Sequence, residues 1–451
     1  MRPTHSRRAT NHRATSHPTT SRRGLALAAA LALTAGLGLA ACGSETEGGG
    51  TASPTAPPAE TTEQSDAQEA AALTPRIAYT YDGGIQVRDA TTLELVADIP
   101  LDGFNRLNSA GNGRDLMVST AGGFQVLDLG VWQVAHGDHF HYYAAEPVLT
   151  DQKFAAAEPG HVVHHDGLTA LFDDETGLVQ VFESAEAEDP DRELREHTTP
   201  QPHHGVAVPL PDGTLVVSEG TADGRTGAQA LGVDDGVLAA SSDCPGLHGE
   251  AVAADEAVVF GCADGALVYS GGSFAKIASP APAGASSAIS ATEESAVALA
   301  DHSVEGAAQD QVALIDTAAG EIRLVQLPSA YYGFNDFAVV DGGSGFVLGL
   351  DGQLHFIDLA SGAVTGSFPV IAAYEAPAEW QDPAPKALVL DGMIYITEPA
   401  AKKIHVVDPA TGEIWKSVDL DVTPGELQGV TGDAEAEHDH DHEDEGDHED
   451  E

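Results

Sequence analysis

Basic residues are scarce in this chain. Twenty Lys and Arg face 71 Asp and Glu in 451 residues, a formal net charge of −51. A surface of that sign repels phosphate backbones and anionic lipid and concentrates divalent cations, which excludes nucleic-acid binding. Cysteine is equally sparse, with three residues at Cys42, Cys244 and Cys262. There is no CxxC knuckle, no helical HExxH pair, no nucleophile elbow and no recognisable spacing of a general acid and base. Amphipathic helical periodicity is also missing. The chain runs instead as short β-rich segments punctuated by Gly, Asp and Pro.

The ends carry their own signals. Residues 1–41 hold six arginines and no acid ahead of an apolar run, Leu25 to Ala40, that is short for a membrane span. The run closes on Leu39-Ala40-Ala41-Cys42, which resembles a bacterial lipobox, so Cys42 is the expected lipidated first residue of a mature lipoprotein. Ser21-Arg22-Arg23 hints at twin-arginine export without the usual Phe-Leu-Lys continuation, leaving the route open. Without this leader the chain keeps 14 basic and 71 acidic residues, a net −57. It is expected at the cell membrane, facing the extracytoplasmic side and held by lipid alone. Residues 42–75 read as a flexible tether, 76–432 as the folded part, and 433–451 as a disordered His/Asp/Glu-rich tail. In an exported chain Cys244 and Cys262 are an expected disulfide; cysteine ligation of a metal is the alternative.

A repeat fills the folded part. An apolar strand ending in Asp, a turn and a second strand recur at IQVRDATTLELVADI, FQVLDLGVWQV, VALIDTAAGEIRLVQL, LHFIDLASGAVTGSF and IHVVDPATGEIWKSV. The aspartates (Asp89, Asp128, Asp316, Asp358, Asp408) fall mostly about forty residues apart or at multiples of that, the period of a four-stranded propeller blade. Innermost strands are expected near residues 108, 161, 204, 248, 287, 335 and 386. An eighth near Leu427 to Thr431 would complete the sheet of residues 76–101. The fold class is therefore all-β, a β-propeller of eight blades, with seven as the alternative, and the protein is expected to be a monomer.

Histidine is the residue in excess. Six of the twenty lie between residues 136 and 167: His136, His139, His141, His161, His164 and His165. In a strand, His139 and His141 point the same way. If the inner strands align, His161, His204 and His248 occupy equivalent places in three consecutive blades and converge at the channel mouth. Imidazoles assisted by carboxylates (Asp138, Asp166 and Glu250 are candidates) suit zinc, and copper or nickel would accept the same ligands. The principal candidate metal ligands are thus His139, His141, His161, His204 and His248. His136, Asp138, His164, His165 and His203 are secondary candidates, with His438, His440 and His442 of the tail, which would hold metal loosely near the channel mouth. His197, His302, His355 and His405 read as ordinary polar groups.

The segments HGDHFHYY (from His136), PGHVVHHDGLTALFDD, PHHGVAVPLPDGTLVVSEG and CPGLHGEA with VVFGCADG resemble the AztD family of zinc metallochaperones over about residues 76–432. The resemblance implies an extracytoplasmic β-propeller that holds Zn2+ and passes it to the solute-binding protein of a zinc ABC importer. His139, His141, His161, His204 and His248 match the family's motifs. Two other classes compete: a metal-dependent propeller enzyme of lactonase or lyase type, and a protein-binding surface scaffold whose histidines are incidental.

Overall fold

Three of the recurring aspartates each close a tight turn. Asp316, Asp358 and Asp408 accept backbone N–H groups of Ala319, Ser361 and Ala410 at 2.7–2.9 Å through their side chains. Four residues on, the N–H of Gly320, Gly362 or Gly412 donates to the same residue's carbonyl, with the glycine at φ near +70°. Side chains other than hydrogen rarely tolerate that backbone, which is why the motif is Asp-x-x-x-Gly. The turn reverses the chain, so the strands on either side pair antiparallel.

In the computed structural model, which describes residues 67–137 and 139–434, this local rule builds eight four-stranded antiparallel sheets, the architecture of a β-propeller. The leader, most of the tether and the tail, with Cys42, Asp138, His438, His440 and His442, lie outside the described residues. Seven sheets use consecutive strands or nearly so. The eighth joins Arg76–Tyr81, Gly84–Asp89 and Leu95–Pro100 to Leu427–Val430, with Arg76 opposite Val430 and Tyr79 opposite Leu427.

Middle strands such as Ala257–Cys262 are buried along their whole length, whereas outermost strands such as Ala363–Pro369 alternate between exposed and half-buried. The buried sets pack between neighbouring sheets: Val216 and Ala228 of one meet Val258, Phe260 and Leu267 of the next. No helix among the described residues is long and apolar enough to cross a membrane.

Innermost strands run Arg106–Ser109, Pro159–His165, Ala207–Pro209, His248–Ala253, Ile289–Ser290, Phe337–Asp341 and Ala387–Leu390. All run in one direction, so they share a starting end, where the links between sheets arrive, and a finishing end. First-to-second and third-to-fourth turns lie at the finishing end.

One expected strand pair is wrong. Val131–His136 does not form the outermost strand beside Gly123–Asp128; Val148–Ala155 does. Val131–His136 instead pairs with His139–Ala144 as a projecting hairpin. The Asp128 carboxylate accepts from the Arg114 guanidinium at 2.7 and 2.9 Å and from the Gly130 N–H at 2.6 Å. Gly130 (φ +70°) then turns the chain out of the sheet, and Arg76 donates to the carbonyls of Leu129 and Ala145, closing the neck of the insertion. Gln68–Ala70 adds as a third strand on the hairpin, so the expected flexible tether ends before residue 68. The free backbone edge of His139–Ala144 is what recruits it.

Cys244 and Cys262 are joined in a disulfide with a Cα–Cα distance of 5.1 Å. It ties the link that leads into His248 to the end of the neighbouring strand. Replacing both cysteines with serine should lower unfolding free energy by about 3 kcal/mol, the value for a closed loop of this size. Denaturant titration of the pair variant against the unaltered chain under non-reducing conditions measures it.

Candidate metal centre

Three histidines far apart in sequence meet at the starting end of the innermost strands. One ring nitrogen from each of His161, His204 and His248 lies within 4.8 Å of the others, and the ring centroids are 5.0–5.3 Å apart. A glycine adjoins each of them. A Cβ on Gly160 would strike the Asp174 carboxylate, one on Gly205 the Phe172 ring, and one on Gly249 the Ser287 carbonyl. The strand register slips between Pro159 and Val162 and between His248 and Glu250, and such bulges re-aim a side chain.

The outward-facing nitrogens decide the chemistry. His161 Nδ1 lies 3.2 Å from Glu250 Oε1, His204 Nδ1 2.5 Å from Asp174 Oδ2, and His248 Nδ1 2.7 Å from the Ser287 carbonyl. Ionised carboxylates and carbonyls only accept, so each Nδ1 carries a hydrogen, and in the neutral tautomer the lone pair lies on Nε2. Nε2 of His204 and Nε2 of His248 face each other at 3.2 Å. Two lone pairs at that distance repel unless a proton or a cation sits between them. The edge of a tetrahedron with metal–nitrogen bonds of ~2.0–2.1 Å is about 3.3 Å, so the pair already has the spacing zinc demands.

Burial supports the neutral state of His248. Desolvation, with the neighbouring His161, pushes the His248 pKa down to about 4, so at neutral pH this ring has no proton to lose before it could ligate a metal. Glu250 Oε2 is buried and has no hydrogen-bond partner, an orphaned acceptor beside the trio. Carboxylates on the far side of ligating imidazoles orient the rings and raise their basicity, the role Glu250 and Asp174 have the geometry to fill. Asp174 was missed by sequence reasoning. Its only signal is its place directly after the strand Leu168–Asp173, at the end where His204 arrives.

A second cluster lies on the hairpin. His136 and His139 are cross-strand partners, His141 is on the same face, and a ring nitrogen from each lies within 4.8 Å of the others. Glu69 receives His141 Nδ1 at 2.7 Å. The hairpin replaces a third-to-fourth turn, so it leaves from the finishing end. His139 and His141 therefore do not cap the opening formed by His161, His204 and His248, as the sequence suggested; the two clusters sit at opposite ends of the strands.

The secondary candidates divide. His203 is buried, with Nδ1 on the Gln201 carbonyl and Nε2 on the Ser218 hydroxyl, both at 2.9 Å, so no lone pair is left for a metal. His165 is buried at the finishing end of its strand, between Glu256 at 2.7 Å and Glu293 at 2.9 Å. Both its nitrogens are engaged, and it joins neither cluster. His164 is exposed and packs against Gly111, also outside both clusters. Asp166 occupies a turn at the finishing end, away from the trio it was expected to assist. A third convergence, Asp115, Asp128 and Glu188, is already engaged by Arg114, and burial with its acidic neighbours raises the Asp115 pKa to about 8.

Burial opposes charge on His165, yet the hydrogen bonds to Glu293 and Glu256 outweigh it and raise its pKa. The stabilisation this gives is complete below about pH 6.5 and disappears as pH rises through the raised folded value. His165→Gln should therefore destabilise the chain by about 1–3 kcal/mol at pH 6 and by progressively less in alkaline buffer. Denaturant midpoints across pH 6–9 test this; a pH-independent difference would refute it.

No family model matches the chain. It is 26% identical to the zinc chaperone AztD of Citrobacter koseri over 364 residues, covering 77% of this chain and 84% of that protein. Two solved structures of Citrobacter koseri AztD share the fold. The apo form has a TM-score of 0.68 at 24% identity, covering 80% of this chain and 98% of that one. The other has a TM-score of 0.69 at 24% identity, covering 79% and 98%. In sequence and in fold, this chain is AztD-like.

Proposed function

We propose that the chain is a zinc chaperone: it captures Zn2+ outside the cytoplasmic membrane and hands it to the solute-binding protein of a zinc ABC importer. One observation carries this reading, the three imidazoles whose hydrogens are all turned outward onto acceptors while Nε2 lone pairs converge. Three neutral ligands leave a tetrahedral ion one open position. An incoming ligand from a partner can occupy it before any histidine lets go, which is what direct transfer requires. The side chain of His204 is 38% exposed, against 16% for that of His161. Of those two it is the one an incoming ligand reaches first. The likeness to a protein named a zinc chaperone favours this role over an enzyme's. Export, lipid attachment at Cys42 and residence on the outer side of the membrane belong to the same proposal, supported by the leader's sequence.

Metal content and competition titration of the full chain test the site. Changing His161, His204 and His248 together to Ala should remove one tightly bound equivalent of zinc. Asp174→Asn should weaken that equivalent about 10–100-fold, the usual consequence of removing an imidazole's carboxylate partner. Zinc stoichiometry and affinity unchanged in the triple variant would overturn the proposal.

A further inference from the structure

The face that carries the metal trio also carries two exposed aromatic rings. Phe104 and Trp380 are 47% and 49% exposed, and their rings meet edge to face with centroids 5.1 Å apart. Phe104 lies on the link that enters the innermost strand Arg106–Ser109, and Trp380 on the link that enters Ala387–Leu390, so both stand at the starting end. Around the circle of eight sheets, the sheet of Ala387–Leu390 is four places from that of Ala207–Pro209, which His204 precedes. The aromatic pair and the trio therefore share one face, on opposite sides of the opening.

Trp380 is held in place. It sits in a turn closed by the Asp382 N–H on the Glu379 carbonyl at 3.0 Å and by the Glu379 N–H on the Asp382 carboxylate at 3.4 Å. Phe334 packs behind its ring with centroids 6.4 Å apart, and the Lys386 ammonium covers Phe334 at 3.8 Å. An exposed tryptophan that is already fixed loses little freedom on binding, which is how an interface hot spot gains its energy.

Charge selects the occupant. The two rings border a cavity of about 370 Å³ that also takes in Asp82, Asp382, Asn105 and the Lys386–Glu426 ion pair. Lys386 and Glu426 are buried 3.4 Å apart and offset each other, so the charge the cavity presents is that of the two exposed aspartates. Asn105 is 3% exposed. Its amide nitrogen donates to the Leu101 and Gly103 carbonyls at 3.4 and 3.2 Å, while its Oδ1 has no hydrogen-bond partner. Aromatic rings, carboxylates and an unpaired acceptor suit a cationic group with N–H donors on an apolar stem, the side chain of Lys or Arg.

We propose that Phe104, Trp380, Asp82 and Asp382 form a docking pocket for a basic side chain of the protein that receives zinc from the trio. This rests on the reading of the chain as a zinc chaperone. The net charge of −51 draws a basic surface toward the molecule as a whole, and the pocket fixes where that surface settles. A partner anchored there approaches His161, His204 and His248 from the side on which their nitrogens converge.

The test measures association of the zinc-loaded full chain with the solute-binding protein of the zinc importer from the same organism. Titration calorimetry compares the unaltered chain with Trp380→Ala, with Phe104→Ala, and with Asp82→Asn and Asp382→Asn together. Each change should weaken association at least tenfold, and the aspartate pair should also flatten its dependence on salt. Zinc competition should return the unaltered affinity in all three, since none of them touches the trio. Association that is unchanged in the variants would overturn the pocket and leave the chaperone reading standing. A parallel loss of zinc affinity would mark these residues as structural and overturn it as well. An unaltered chain that neither binds this protein nor delivers zinc to it would overturn both.

Discussion

The pairing of Arg76–Tyr81 with Leu427–Val430 is the constraint on which the other features depend. It joins two segments about 350 residues apart and leaves the circle of sheets without an open edge. An open row of sheets could twist and drift, and the starting points of its innermost strands would not be fixed relative to one another. Closure removes that freedom. It lets residues 161, 204 and 248 arrive at one point although each comes from a different sheet.

Given closure, the candidate metal centre is a matter of proton placement. Acceptors stand behind all three rings, two of them carboxylates and one a carbonyl. The Ser287 carbonyl is itself held: Ser287 donates its N–H and its hydroxyl to Asp301. The third ring is thus oriented through a chain of contacts rather than by a charge of its own. That difference fits its strongly depressed pKa, since a carboxylate at that place would have favoured the charged ring.

Much of the architecture was legible in the sequence because propeller turns need particular residues at particular offsets. Asp316, Asp358 and Asp408 with their glycines are a local signal, and local signals survive without coordinates. The trio was legible for a related reason, as HGVAV and HGEAV repeat at a blade's spacing. Asp128 misled because its motif looks the same while its carboxylate serves Arg114 and Gly130. Whether Asp caps a turn or anchors an arginine depends on residue 114, which no spacing rule connects to it. His203 and His165 were ambiguous for a similar reason. Strand alternation says which side a residue faces, but not that Ser218 or two glutamates wait there.

The hairpin lies between the two ends of the described chain, Gln68–Ala70 along one side and Gly432 and Asp433 along the other. Both ends of the described chain therefore lie at the same pole of the propeller, and the three-histidine mouth occupies the opposite pole. The molecule has a built-in polarity. A molecule docked on the hairpin therefore leaves the three-histidine mouth uncovered, because the two clusters lie on different faces.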